Sequence, residues 1–357
     1  MNLFLLSIKY SILLLNLMIK INKTYVINLK KRTDRWCQIN KNFKNSGLKL
    51  NKWDAIYGKD LSEEKIKEIT NKFCYYLCSP SMIGIWMSHY TLWQHIAKNN
   101  ETNVLILEDD AYPAKDFNLR VKSVLSKIPK DYDMFYFGCI GTCDKGYNDM
   151  SKAILGESNK IVYDENNNEI QEIFRPYFPL ALHGYMVSNK GAKKLINNEK
   201  FKKIAYHIDT ALPLLIFNDK QNNFNVYATA PPLIEQEFGL DSDNIISNHP
   251  VIGYPLSKIK VSETMNLDYV SNIQSFYLRH LGIPITEFLL FMVIFSLVMG
   301  AILPTHSLNY LLIFIIGIYL VEIIITKGKT IKLMVFELIV IILVSFLSNS
   351  IANNIRK

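Results

Sequence analysis

From residue 285 to residue 347 the chain is almost continuous hydrocarbon, and this run limits the fold more than any other feature. It falls into three stretches, 285–303, 308–326 and 331–347, the first closed by Pro304. Helices of 17 to 19 residues span about 25–29 Å at ~1.5 Å per residue, enough for a bilayer core. None shows a polar face, which argues against long core helices of a soluble domain. Glu287, Glu322 and Glu337 are the acids within it; the last two sit deep enough to need the turn's lysines or helix neighbours as partners. The turn between the second and third stretches carries Lys327 and Lys329, with Lys332 just beyond, whereas 304–307 has no formal charge. Charge bias therefore places the lysine turn, and the domain preceding the first span, on the cytoplasmic face of a multi-pass membrane protein; Arg356 and Lys357 oppose this. The apolar stretch at 3–19 lacks a basic start and a small-residue cleavage site, so it reads as a reverse anchor or an interfacial helix.

The rest is ordinary globular composition. A net charge of +8 comes from scattered lysines and arginines, without the long like-charge run of a nucleic-acid arm, so no nucleic-acid partner is expected. An anionic membrane or a phosphorylated substrate accounts for the excess. The five cysteines, Cys37, Cys74, Cys78, Cys139 and Cys143, form no C-x-x-C pair and read as free thiols in a reducing compartment.

Strands at 24–29, 48–56, 104–107, 134–137, 184–187 and 225–228 alternate with helices following 33, at 62–70, 81–98, 190–197 and 208–217, and a hairpin lies at 157–172. Thr33 is a candidate cap for the first helix, and 265–281 reads as a linker helix. The alternation predicts an α/β domain with a parallel or mixed sheet flanked by helices.

Four segments carry chemistry. VLILEDDA (104–111) ends a buried strand in Glu108, Asp109 and Asp110. Ligands of open α/β sheets gather at such strand ends, and adjacent carboxylates suit a hard dication, Mn²⁺ or Mg²⁺. Glu108 and Asp110 form an acid-x-acid pair able to hold a metal against a diphosphate; alone, the motif also fits a solvated loop. TYVINLKKRTDRW (24–36) turns Arg32 and Arg35 toward any phosphate beyond the strand, or simply toward water. GIWMSHYTLW (84–93) can line a pocket with Ser88, His89 and Trp93, or bury them as core. Asp209, opening an apolar helix, is an N-cap or a general base.

In this order and spacing the segments resemble glycosyltransferase family 25, over about residues 24–248. The resemblance rests on Val26-Ile27-Asn28-Leu29 with Arg32, Asp34 and Arg35; Asp54-Ala55-Ile56 with Gly58; Gly84, Ser88, His89 and Trp93; and residues 105–111. Downstream it rests on Tyr132-Asp133 with Gly138, Gly184-Tyr185, Ser188, Gly191-Ala192 and Leu195, Ile208-Asp209 with Leu212-Pro213, then Pro232, Leu233, Ile234, Gln236 and Ser242. It implies a Rossmann-like GT-A fold, a UDP-sugar donor, a divalent cation and inversion at the anomeric carbon. Asn28, Arg32, Arg35, Asp54, Gly58, Ser88 and His89 would then serve the nucleotide sugar, and Glu108, Asp109 and Asp110 the metal. Asp209 would be the base, and His183, Tyr185 and Gln236 would line the acceptor pocket. Two features depart from the family pattern: the C-terminal spans, and His207 where a proline is usual.

The expected layout is an anchor or interfacial helix at 1–22, a catalytic domain at 23–250, a linker at 251–283, transmembrane helices at 284–350 and a tail at 351–357. A glycan, lipid-linked or protein acceptor and a lipid bilayer complete the expected partners. A membrane-bound metal phosphohydrolase or a silent glycosyltransferase-like binding protein would share the same carboxylates.

Overall fold

The computed structural model describes residues 19–141, 160–164, 166–219, 221, 223–237, 249–260, 267–268, 274–279, 281–329 and 331–356. Most of the stretch at 3–19, as well as Cys143 and Ser242, lies outside them. In chain order the elements are β1 (Lys23–Leu29), α1 (Thr33–Asn42), β2 (Leu50–Ala55), a 3₁₀ turn (Gly58–Asp60), α2 (Glu63–Ile69), α3 (Lys72–Leu77) and α4 (Pro80–Lys98). There follow β3 (Val104–Glu108), β4 (Ala111–Pro113), α5 (Phe117–Lys127), β5 (Met134–Gly141), β6 (Lys160–Tyr163), β7 (Glu169–Arg175), β8 (Pro179–Val187), α6 (Asn189–Asn197), α7 (Ile208–Asn218), β9 (Val226–Thr229) and β10 (Ile234–Gln236). The remainder holds α8 (Pro250–Leu256), β11 (Gln274–Leu278), β12 (Ile283–Thr286), α9 (Glu287–Ile302), α10 (Thr305–Ile325) and α11 (Ile331–Arg356). The chain divides into two compact units, Met1–Lys72 with Pro80–Leu240, and Phe73–Ser79 with Asp241–Lys357.

The first unit is a mixed eight-stranded sheet in the order β2-β1-β3-β8-β5-β9-β7-β6. β2, β1, β3, β5 and β9 run the same way, and β8 lies antiparallel between β3 and β5. Their carboxyl ends therefore share one edge, where β4 and β10 form a small antiparallel ribbon. Alternation along each strand sorts side chains between the faces. Val26, Leu105, Leu107, Phe135 and Phe137 pack with Ile39 and Phe43 of α1 and Phe117 and Val124 of α5. On the opposite face α4 lays Trp86 and Trp93 against Phe201, and Trp93 reaches Tyr185 of β8.

Several local expectations change. Arg32, not Thr33, precedes α1 as its cap residue, and its side chain makes no capping bond. Ser62 caps α2 by accepting from Lys65 N. The amphipathic helix α5, whose apolar positions face the sheet, was not anticipated. Gly58 and Gly84 permit close backbone approach: a Cβ on Gly58 would stand 1.6 Å from Pro80 O, and one on Gly84 2.5 Å from Ile56 O. Gly58→Ala is expected to cost about 1–3 kcal/mol or more, read as a lower midpoint in urea; an unchanged midpoint would contradict this packing.

In the second unit, residues 274–278 are a strand rather than part of a linker helix. Gln274–Leu278 pairs with Ile283–Thr286 across a tight turn in which Gly282 has φ +67°, a conformation that ends a helix. Two helices, α10 and α11, are long and apolar enough to cross a membrane. The expected first span is shorter, since α9 has 16 residues. Gly300 of α9 meets Ser345 and Ser348 of α11 closely, and Asn349 donates to Gly300 O and Leu303 O. Both deep glutamates face protein neighbours: Glu322 Oε1 accepts from Val251 N and Ile252 N at 3.1 and 3.0 Å, and Glu337 Oε2 accepts from Tyr319 at 3.2 Å.

The free-thiol expectation is corrected. Cys74 and Cys78 are disulfide-bonded, their i,i+4 spacing bringing the Cα atoms to 4.6 Å, within bridging range. Cys139 is also disulfide-bonded. Among the described residues Cys37 is the free cysteine, and it is exposed.

Candidate active site

The shared carboxyl edge of β1, β3 and β5 collects most of the candidate residues. Asn28, at the end of β1, is buried; its Nδ2 donates to Asp109 Oδ2 at 2.7 Å and to Arg32 O at 3.0 Å. Arg35, on the first turns of α1, donates to Asp109 Oδ1 at 2.9 Å. Asp109 is thus a strut fixing the basic turn against the end of β3, with both carboxylate oxygens engaged.

Glu108 points to the opposite face. His89 Nε2 lies 3.1 Å from Glu108 Oε1, His89 Nδ1 lies 2.9 Å from the Tyr185 hydroxyl, and Trp93 Nε1 donates to that hydroxyl at 2.9 Å. Trp93 can only donate. The phenolic proton of Tyr185 is then available to His89 Nδ1, and in that tautomer the histidine donates from Nε2 to Glu108. Burial, with His207 nearby, pulls the His89 pKa down to about 3, so the imidazole is neutral and this direction of donation is consistent. Tyr185→Phe strands the Trp93 N–H and His89 Nδ1, each at about 1–3 kcal/mol; thermal unfolding should begin several degrees lower, and an unshifted transition would refute the chain.

Asp110 Oδ2 accepts from Gln236 Nε2 at 3.1 Å, across the β4–β10 ribbon, while its Oδ1 is buried without a partner. At the start of α7 the cap residue is His207, whose Nδ1 accepts from Asp209 N at 3.2 Å. This removes the N-cap reading of Asp209, which sits on the first turn. Its Oδ2 lies 3.5 Å from His207 Nδ1, and its Oδ1 is also buried and unpartnered.

The carboxylates sense one another. Burial raises Glu108 well above the usual range, with Asp110, Asp209 and Asp109 adding to it. Burial likewise pushes Asp110 up to about 6 and raises Asp209. Among the described residues no three His, Cys, Asp or Glu side chains are grouped to hold a metal ion. Glu108, Asp109 and Asp110 leave the strand toward three different partners. Asp110 and Asp209 each keep one buried oxygen without a hydrogen-bond partner, Asp110 Oδ1 and Asp209 Oδ1.

Other candidates take different places. Ser88 is structural: it donates to Gly84 O at 2.6 Å and accepts from Ile56 N at 2.8 Å. Gly58 serves the packing described above. Arg32 is paired with Asp34 at 2.8 Å on the surface. Asp54 is aligned with Asn28 on the neighbouring strand and its side chain is 66% exposed. His183 Nε2 lies 3.2 Å from Ile234 O, and burial lowers its pKa to about 4. Tyr185 is engaged with His89 and Trp93, and Gln236, half-buried, with Asp110. Tyr136 was missed: on β5, beside Tyr185, its hydroxyl is buried, lacks a partner and is affected by the Asp209 charge. A tyrosine between two phenylalanines reads only as core in the sequence.

An α/β sheet whose strand ends carry buried carboxylates of raised pKa has the architecture of the open-sheet class, whose ligands gather at that edge. The family model for glycosyltransferase family 25 (LPS biosynthesis protein) matches residues 21–212. That is more than half of the chain, which belongs to this family. A glycosyltransferase 25 family member of Aedes aegypti is 27% identical over 247 residues, 64% of this chain and 38% of that protein. Procollagen galactosyltransferase 1-A of Xenopus laevis is 26% identical over 205 residues, 54% of this chain and 31% of that protein. Putative glycosyltransferase R655 of Acanthamoeba polyphaga mimivirus is 27% identical over 179 residues, 49% of this chain and 52% of that protein. The chain spans about a third of the length of the insect and frog relatives.

Proposed function

We propose that this protein is a membrane-anchored, inverting glycosyltransferase moving a hexose, galactose or glucose, from a UDP-sugar to an acceptor hydroxyl. Galactose is favoured by relatives named as galactosyltransferases. One observation carries the reading: two carboxylates with unpartnered buried oxygens, Asp110 and Asp209, both act electrostatically on Glu108 at the carboxyl edge of a family 25 domain.

In this proposal Asn28 and Arg35 hold the basic turn over the nucleotide, Arg32 exchanges Asp34 for phosphate oxygens, and Asp54 faces the ribose or base. Asp110 holds the cation, supported by Gln236, while Glu108 is fixed by His89, Tyr185 and Trp93 at the rim of the cleft. Mn²⁺ or Mg²⁺ bound there would supply positive charge against the departing diphosphate. Asp209 takes the proton of the acceptor hydroxyl, its raised pKa making it a stronger base than a solvated aspartate. His183 and Tyr136 lie on the acceptor side. Cation binding should weaken as pH falls through the raised Asp110 value, near 6 in the cation-free protein. An Mn²⁺ affinity unchanged between pH 7 and pH 5 would contradict this.

The catalytic domain is assigned to 23–250 and the anchor to α10 and α11, with α9 as a shorter apolar companion. The lysine turn favours a cytoplasmic catalytic face. The disulfides pull the other way, toward an oxidising compartment; protease protection in sealed vesicles decides between them. The catalytic test is purified full chain with Mn²⁺ and a panel of UDP-sugars, with and without glycan, lipid-linked and protein acceptors. Acceptor-dependent transfer is expected. Hydrolysis indifferent to acceptor would indicate a phosphohydrolase, and failure to bind UDP a silent binding protein.

A further inference from the structure

The end of the second unit that carries the α10–α11 turn presents basic and apolar groups together. α8 is seated there by its backbone: Val251 N and Ile252 N both donate to Glu322 Oε1, three residues before the end of α10. His249, just before α8, packs its ring 4.3 Å from Phe288 on the first turn of α9 and 5.4 Å from Tyr319. Its Nε2 lies 3.0 Å from Glu337 Oε2, on the second turn of α11. These contacts place the start of α8 at the level where α9 begins, α10 ends and α11 begins.

Lys327, Lys329 and Lys332 stand at that level, and Lys258 and Lys260 follow the end of α8 by two and four residues; all five are exposed. None makes an ion pair with an acid among the described residues. Beside them Tyr254 is 70% exposed, with Lys258 Nζ 5.1 Å from its ring centre, and Val251 and Ile259 are exposed as well. The described acids near this end are Glu287, exposed on the first turn of α9, and the half-buried Asp268, which stands against Gly253. An exposed tyrosine and aliphatic side chains beside clustered lysines, next to the end of a membrane-length helix, have the chemistry of the headgroup layer. The excess of positive charge selects its acidic lipids.

We propose that α8, the residues through Lys260 and the lysine turn form a docking surface for acidic phospholipid headgroups. The lysines meet phosphate and carboxylate oxygens, and Tyr254 lies at the boundary with the acyl chains. The inference rests on the membrane part of the proposed function and is independent of the catalytic part.

The full chain, purified in neutral detergent, is titrated with fluorescent phosphatidylserine and fluorescent phosphatidylcholine in mixed micelles. Phosphatidylserine should bind preferentially, more weakly as salt rises. The double variant Lys258→Gln/Lys260→Gln should bind it about twenty-five-fold less tightly, at roughly fivefold per lysine, with an unchanged unfolding temperature. Excess inorganic phosphate should not compete, because the apolar contacts require a lipid. Equal binding of the two lipids, salt-independent binding, full competition by phosphate, or an unaffected double variant would each overturn the proposal. Because the readout needs no sugar transfer, an inactive enzyme that still selects phosphatidylserine separates failure of the catalytic reading from failure of this one. A chain that remains soluble without detergent would overturn the membrane reading and this inference together.

Discussion

Asp209→Asn is expected to lower kcat for sugar transfer by about 10²–10⁴-fold, with KM for the UDP-sugar near the wild-type value. Asp209 lies on the first turn of α7, held by a backbone bond to His207, and one of its oxygens is buried without a partner. The amide keeps the shape and cannot accept the acceptor's proton, so the loss falls on chemistry rather than donor binding. A variant with near-normal kcat would remove Asp209 from the mechanism. A variant that lost donor binding as well would make it part of the nucleotide site instead.

Asp110→Asn should abolish transfer and, at the same time, stabilise the ligand-free protein. Burial raises the Asp110 pKa from 3.8 to about 6, so between those values the folded chain binds more protons than the unfolded one. Stability contributed by this group therefore falls as pH rises through that window, and at neutral pH the ionised carboxylate is a net cost to the ligand-free fold. Asparagine removes the cost and can still meet Gln236. A higher unfolding temperature at neutral pH together with lost activity is the pattern of a residue kept for function at the expense of stability. An unfolding temperature lowered by several degrees would mean that Asp110 is structural.

Much of the sheet was legible because buried strands such as 104–108 are unbroken apolar runs closed by charge, a pattern with few alternatives. The motif at 104–111 marked the strand end where the buried carboxylates lie for the same reason. What the three acids do there was not legible. Adjacent carboxylates on a strand end look alike in sequence, yet strand alternation sends Glu108 to the His89 face and Asp109 to Arg35. Their roles depend on partners 19 and 74 residues away in the chain. Ser88 and Gly58 looked like ligand contacts because both sit in family motifs, but a hydroxyl satisfied by two backbone groups has little left for substrate. The His207 cap was hidden because histidine is an unusual residue at that position, whereas Asp209 is a usual one. The strand at 274–278 was not legible because its pairing partner, 283–286, stands at the edge of the long apolar run and carries no strand signal of its own.

The central claim is that the carboxyl edge of β1 and β3 binds a nucleotide diphosphate together with a divalent cation through Asp110. Calorimetric titration of UDP into the full chain, with Mn²⁺ and with chelator, for wild type and Asp110→Asn, tests it most directly. UDP should bind the wild type in Mn²⁺, bind at least tenfold more weakly with chelator (about 1.4 kcal/mol), and show no Mn²⁺ enhancement in the variant. Equal affinity in all four titrations, or no binding in any, would contradict it.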